Sequence, residues 1–168
     1  MTRRLILIPH AKSIWDDSSI SDPERLLNDR GRAAARDIGR SLASRGYLPD
    51  EVLCSSALRT RETWDALAPA LPEAPEPQYS PTLYHASAEV MLDVMRHAKG
   101  NLVLMLGHNH GIADFTHRLV TRAPLHSSFQ RYPTAATLVA EFPIEDWAAA
   151  DFWQAEEDDF ITPKDIQP

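Results

Sequence analysis

Two short apolar runs constrain this chain more than anything else in it. Leu5-Ile6-Leu7-Ile8 and Leu102-Val103-Leu104-Met105-Leu106 show no polar alternation. A strand with one wet face alternates; a strand without alternation is covered on both faces, as inside a largely parallel sheet. Pro9 follows the first run and is expected to end the strand's hydrogen bonding on one side. Helical spacing appears between the runs. Asn28 or Asp29 caps a segment carrying Ala33, Ala34, Ile38, Leu42 and Ala43, and Arg45-Gly46 closes it. Glu51–Cys54 reads as a strand, and Ser55-Ser56 as the cap of a helix through Arg59, Thr63, Ala66 and Leu67. The proline-rich stretch from Pro69 to Pro81 is a stiff connection with a short edge strand at its end. Helices are predicted over Ser87–His97 and Ile112–Val120, and a strand over Ala135–Phe142. This alternation predicts a three-layer α/β/α sandwich around a mostly parallel sheet. One domain is expected over residues 1–168, with 147–168 a tail packed on it.

Composition narrows the partners. The formal net charge of −7 disfavours sequence-independent binding to nucleic acid or to an anionic membrane. Cys54 is the only cysteine, so no intramolecular disulfide can form. The apolar runs are too short to span a bilayer, and the first is too short for a secretory leader. A cytoplasmic protein is expected, without a cofactor and with neither nucleic acid nor membrane as partner.

Candidate chemistry sits after the strands. His10 follows the first apolar run and His108 the second, while Arg59 lies just beyond Glu51–Cys54. Ligands of open α/β sheets bind beyond the carboxyl ends of strands. If these strands are parallel neighbours, two imidazoles, a guanidinium and a helix start meet in one crevice. A neutral imidazole is a good nucleophile. Guanidinium and helix amides favour phosphate oxygens, and a second imidazole, if protonated, offsets charge on a transferring phosphoryl group. Each residue alone has an ordinary reading as a loop histidine or a surface arginine. His108 and His110 stand two apart, but alternate residues of a turn point apart, so no metal is expected. Cys54 reads as a small buried hydrophobe.

Leu5–Ser13, with Pro9-His10-Ala11-Lys12-Ser13 at its end, resembles the opening strand and nucleophile motif of the histidine phosphatase superfamily, in particular its small SixA-type phosphohistidine phosphatases. Arg25-Leu26-Leu27-Asn28-Asp29-Arg30-Gly31 resembles that branch's next segment. Cys54–Thr63 resembles the second arginine motif, and Leu106-Gly107-His108-Asn109-His110-Gly111 the second histidine motif. The resemblance runs along nearly the whole chain and implies a phosphoglycerate mutase-like fold. It implies that His10 attacks phosphorus and becomes phosphohistidine, which water then hydrolyses. Arg59 and His108 would hold phosphoryl oxygens, with Lys12, Ser13, Arg25 and Asn109 as candidate substrate-binding residues. The expected partner is a phosphorylated protein side chain or a small phosphate ester.

One departure matters. The family normally carries arginine before the nucleophile, where this chain has Pro9. Proline offers no hydrogen bond. A charge-assisted donor is worth roughly 1.5–3 kcal/mol. Lys12, Arg25 or Arg30 could replace it, activity could be reduced, or the protein could bind phosphate without turnover. His85, in Leu83-Tyr84-His85-Ala86-Ser87, and Asp16 are candidate proton donors. Only 48 residues separate Arg59 from His108, too few for the helical cap of larger relatives, so a shallow, open pocket is expected.

Overall fold

The structure, a computed structural model, describes residues 2–14 and 21–166. Six strands form one sheet: β1 (Arg3–Pro9), β2 (Glu51–Ser55), β3 (Gln78–Ser80), β4 (Leu102–Gly107), β5 (Thr137–Phe142) and β6 (Glu156–Ile161), in the order β3-β2-β4-β1-β5-β6. The first four of that order are mutually parallel. β5 and β6 extend the sheet antiparallel on the other side. The sheet is therefore mixed but mostly parallel.

The helices are α1 (Asp29–Ser44), α2 (Leu58–Leu67), α3 (Ala88–Arg96), α4 (Gly111–Leu119) and α5 (Pro163–Ile166). Side chains of a strand point alternately to its two faces. Leu5 and Leu7 accordingly join a core with α3, α4 and Trp147, while Ile6 and Ile8 join one with α1, α2 and Ile166 of α5. All four side chains of Leu5–Ile8 are fully buried, which explains the absence of alternation. Burial of each contributes about 1.5–3 kcal/mol.

The segment from Trp147 does more than pack on the sheet. Its Glu156–Ile161 stretch pairs with β5 as the edge strand β6, a role hidden by its run of exposed acidic residues. Acidic side chains on an edge strand keep that edge from pairing with another chain.

β1 runs through Pro9, which stands opposite Gly107 of β4. The amide of His10 then donates to Gly107 O at 3.0 Å. The ladder to β5 ends earlier, at Leu7 and Leu138, so the donor that proline lacks falls past its end. Asn28 caps α1 by accepting from Gly31 N at 2.8 Å, and Gly46 takes φ of +77° just beyond it. Gly31 also lets α1 approach the loop after the histidine: a Cβ there would lie 2.1 Å from Lys12 O.

Candidate active site

β1 and β4 are adjacent and parallel, and β2 flanks β4, so their carboxyl ends deliver His10, His108 and Ser55 to one place. The rings of His10 and His108 are 5.6 Å apart. Arg59, in the first turn of α2, is brought in as well and is 1% exposed. A cleft of about 480 Å³ is lined by Pro9, His10, Lys12, Ser13, Asp22, Arg25, Arg59, His85, Asn109, His110 and Thr134. Residues 60–107 are spent on α2, β3, α3, β4 and the turns between them, which leaves no inserted helical cap.

His10 Nδ1 lies 2.6 Å from Ala11 O, which can only accept. Nδ1 therefore carries the hydrogen and Nε2 the lone pair. Burial, with help from the charges of Arg59 and Arg25, pushes the His10 pKa down to about 4 against the opposing effects of Ala11 O and Asp22. The backbone beyond it is pinned by Thr63, whose hydroxyl oxygen accepts from Ala11 N at 3.0 Å and donates to Arg59 O. That one side chain ties the nucleophile's loop to the helix of the arginine.

His108 does not meet the condition of protonation in the free protein. Burial first, then the charges of Arg59, His10 and His85, push its pKa down to about 3. In the free protein it is a neutral imidazole, not a cation, because it is buried and the pocket already holds guanidinium charge. Its Nε2 lies 2.7 Å from Ser55 Oγ. Ser55 also accepts from Ala57 N, so its proton can go to Nε2, which places the ring hydrogen on Nδ1. Nδ1 is buried and has no hydrogen-bond partner among the described residues. The expected cap role of Ser55-Ser56 is corrected: Ala57 is the N-cap of α2 and no side chain caps it. Ser55 is instead the last residue of β2, turned to His108.

The structure places Arg25 in the cleft, with its Nη2 3.4 Å from Asp22 Oδ1. Lys12 is exposed at the cleft edge and Ser13 is buried in its wall. Arg30 is exposed on the first turn of α1 and does not line the cleft. Asn109 lines the cleft, but both ends of its amide are used internally: Nδ2 donates to Tyr132 O at 2.7 Å and Oδ1 accepts from Ala113 N at 3.1 Å. It braces the loop after β4. His85 stands at the rim with a half-exposed side chain and its ring 5.0 Å from that of His108. Asp16 lies outside the described residues.

Sequence reasoning missed Asp22 and Tyr84. Asp22 Oδ2 accepts from Arg59 Nη2 at 3.0 Å, from His85 Nε2 at 3.0 Å and from the hydroxyl of Tyr84. Burial works against its charge, yet the hydrogen bonds from Tyr84 and His85 and the Arg59 guanidinium hold its carboxyl well below the usual range. Its position three residues before Arg25 was the available signal.

A six-stranded mixed sheet between helical layers, with paired histidines at its carboxyl edge, is the phosphoglycerate mutase-like class of α/β fold. A family model described as the histidine phosphatase superfamily (branch 1) matches residues 5–87. The chain belongs to that superfamily. A structure assigned as the phosphohistidine phosphatase SixA of Agrobacterium tumefaciens is 27% identical and superposes with a TM-score of 0.82, covering 96% of this chain and 98% of that one. The SixA assignment from Nakamurella multipartitia is likewise 27% identical, with a TM-score of 0.77 and coverage of 97% of each chain. An uncharacterised chloroplastic protein of Arabidopsis thaliana is 49% identical over 63 residues, 38% of this chain and 29% of that protein, so the match spans under a third of that relative. No helix among the described residues is long and apolar enough to cross a membrane.

Proposed function

We propose that this protein removes a phosphoryl group, from phosphohistidine or another phosphorylated protein side chain or a small phosphate ester, through a phosphohistidine intermediate on His10. The observation that carries this reading is the state of His10: a neutral imidazole with Nδ1 tied to Ala11 O, its Nε2 lone pair available, and two guanidiniums in the same cleft. Nε2 attacks phosphorus while the bond to the leaving group breaks, with Arg59 and Arg25 offsetting the charge on the equatorial oxygens. His108 contributes a neutral N–H. The leaving group takes a proton from His85 at the cleft rim, and a water then attacks phosphorus and releases His10. An imidazole leaving group departs readily once protonated, which suits a site whose only described carboxylate, Asp22, is held ionised. Membership of the superfamily and the likeness to SixA-type structures support a phosphatase.

Arg25 answers the loss of arginine at position 9. Of the three cations considered, it is the one set in the cleft wall with its side chain 13% exposed. A second reading, a phosphate-binding protein without turnover, is favoured by one observation: Pro9 lines the cleft where a donor would otherwise stand. Rapid-quench incubation with a phosphohistidine peptide separates the two. The phosphatase reading expects released phosphate and a transient alkali-stable phosphohistidine that His10→Ala lacks. Binding of phosphate without either product would decide for the second.

A further inference from the structure

Asp22 stands at the centre of the cleft's cations, and nothing in the chemistry above uses it directly. Its main-chain oxygen accepts from Arg59 Nη1 at 2.7 Å and its Oδ2 from Arg59 Nη2 at 3.0 Å. One residue thus takes both terminal nitrogens of a guanidinium that is 1% exposed. Three N–H groups of Arg59 remain, and the one on Nε is buried without a hydrogen-bond partner among the described residues. The same Oδ2 accepts from Tyr84 and from His85 Nε2. His85 itself sits at φ of +50°, in the left-handed region that histidine enters more readily than most residues.

We propose that Asp22 is a positioning residue: it holds Arg59 by both terminal nitrogens so that Nε–H is the donor presented to the phosphoryl group, and it fixes His85 at the rim for proton delivery. The proposal rests on the phosphatase reading. A planar guanidinium has its five donors in one fixed plane, so clamping one on each terminal nitrogen sets the direction of Nε–H. A carboxylate beside an anion site also costs affinity by repulsion. Its presence there fits a role in orientation rather than in holding substrate.

The two effects predict a split. Asp22→Ala lowers kcat by about 10–100-fold, the range expected for misplaced groups, while product phosphate binds no more weakly, because a negative charge has gone. Formate fills the vacated site and restores kcat of Asp22→Ala saturably, leaving the native protein unaffected. A merely structural role would instead lower kcat and phosphate affinity together and would not respond to formate. A kcat that is unchanged or raised, with formate inhibiting, would show that Asp22 only competes with the phosphoryl group and would overturn the proposal. The nitrogen-15 spectrum of Arg59 gives a readout that needs no turnover. The native protein shows a resolved Nε–H signal that shifts on addition of inorganic phosphate; in Asp22→Ala it is averaged away and formate brings it back. If the native chain binds phosphate but turns nothing over, the phosphatase reading fails and this signal still decides. An Nε–H signal unaltered by Asp22→Ala rejects the positioning role.

Discussion

Replacing Arg25 tests whether a loop guanidinium has taken over from the residue that Pro9 displaced. Arg25 lines the cleft with His10 and Arg59, and its charge is among the influences that lower the His10 pKa, so it acts at the nucleophile. If it meets the transferring group through a charge-assisted bond, Arg25→Gln removes about 1.5–3 kcal/mol. That converts to a fall of about 10- to 150-fold in kcat/KM. The loss of the Asp22 contact itself costs little: it is long at 3.4 Å and Asp22 is 39% exposed. Such a pair contributes about 0–1 kcal/mol. The second arm is Pro9→Arg, made in the native and the Arg25→Gln backgrounds and assayed on a phosphohistidine peptide and an aryl phosphate. If the two guanidiniums fill one role, Pro9→Arg helps the Arg25→Gln background far more than the native one, and the cycle is non-additive. Equal gains in both backgrounds, or an Arg25→Gln within twofold of native, would refute the substitution of one arginine by the other.

Acid should find the histidines first. In the unfolded chain they titrate near 6.5, whereas burial lowers His10 to about 4 and His108 to about 3 in the fold. Between pH 6.5 and 4 the unfolded state binds more protons, so stability is full above 6.5 and falls as pH drops through that window. Denaturant midpoints at pH 7 and 5 should therefore converge in His10→Ala relative to native; parallel losses would mean that His10 is not buried neutral. Thr63→Val leaves the Ala11 N–H without its acceptor and should cost about 1–3 kcal/mol. Thr63→Ser should recover most of it, and an unchanged thermal midpoint for Thr63→Val would show that the bond carries no weight.

The sequence by itself determined the layers. Leu5–Ile8 and Leu102–Leu106 have no polar position, and a strand of that kind has only one place to go, the middle of a covered sheet. The start of α1 at Asn28 and its end at Gly46 were legible for the same local reason: a side-chain acceptor and a residue tolerant of positive φ are chemical requirements of helix ends. His10, His108 and Arg59 could be placed at one edge because each follows a strand. Strand order, and with it the 5.6 Å between the two imidazole rings, came only from packing β4 between β1 and β2. Local pattern likewise gave Ser55 a capping role that tertiary contact overrode, since β2 carries it to His108 before the helix begins. Glu156–Ile161 reads from sequence only as part of a packed tail, because its four acidic residues hide a strand pattern, and it is a strand because β5 has an open edge beside it. Asp22 was silent for the deepest reason. A carboxylate in a loop acquires its role from the Arg59, Tyr84 and His85 side chains that meet it, and these arrive from positions 37 to 63 residues away in the chain.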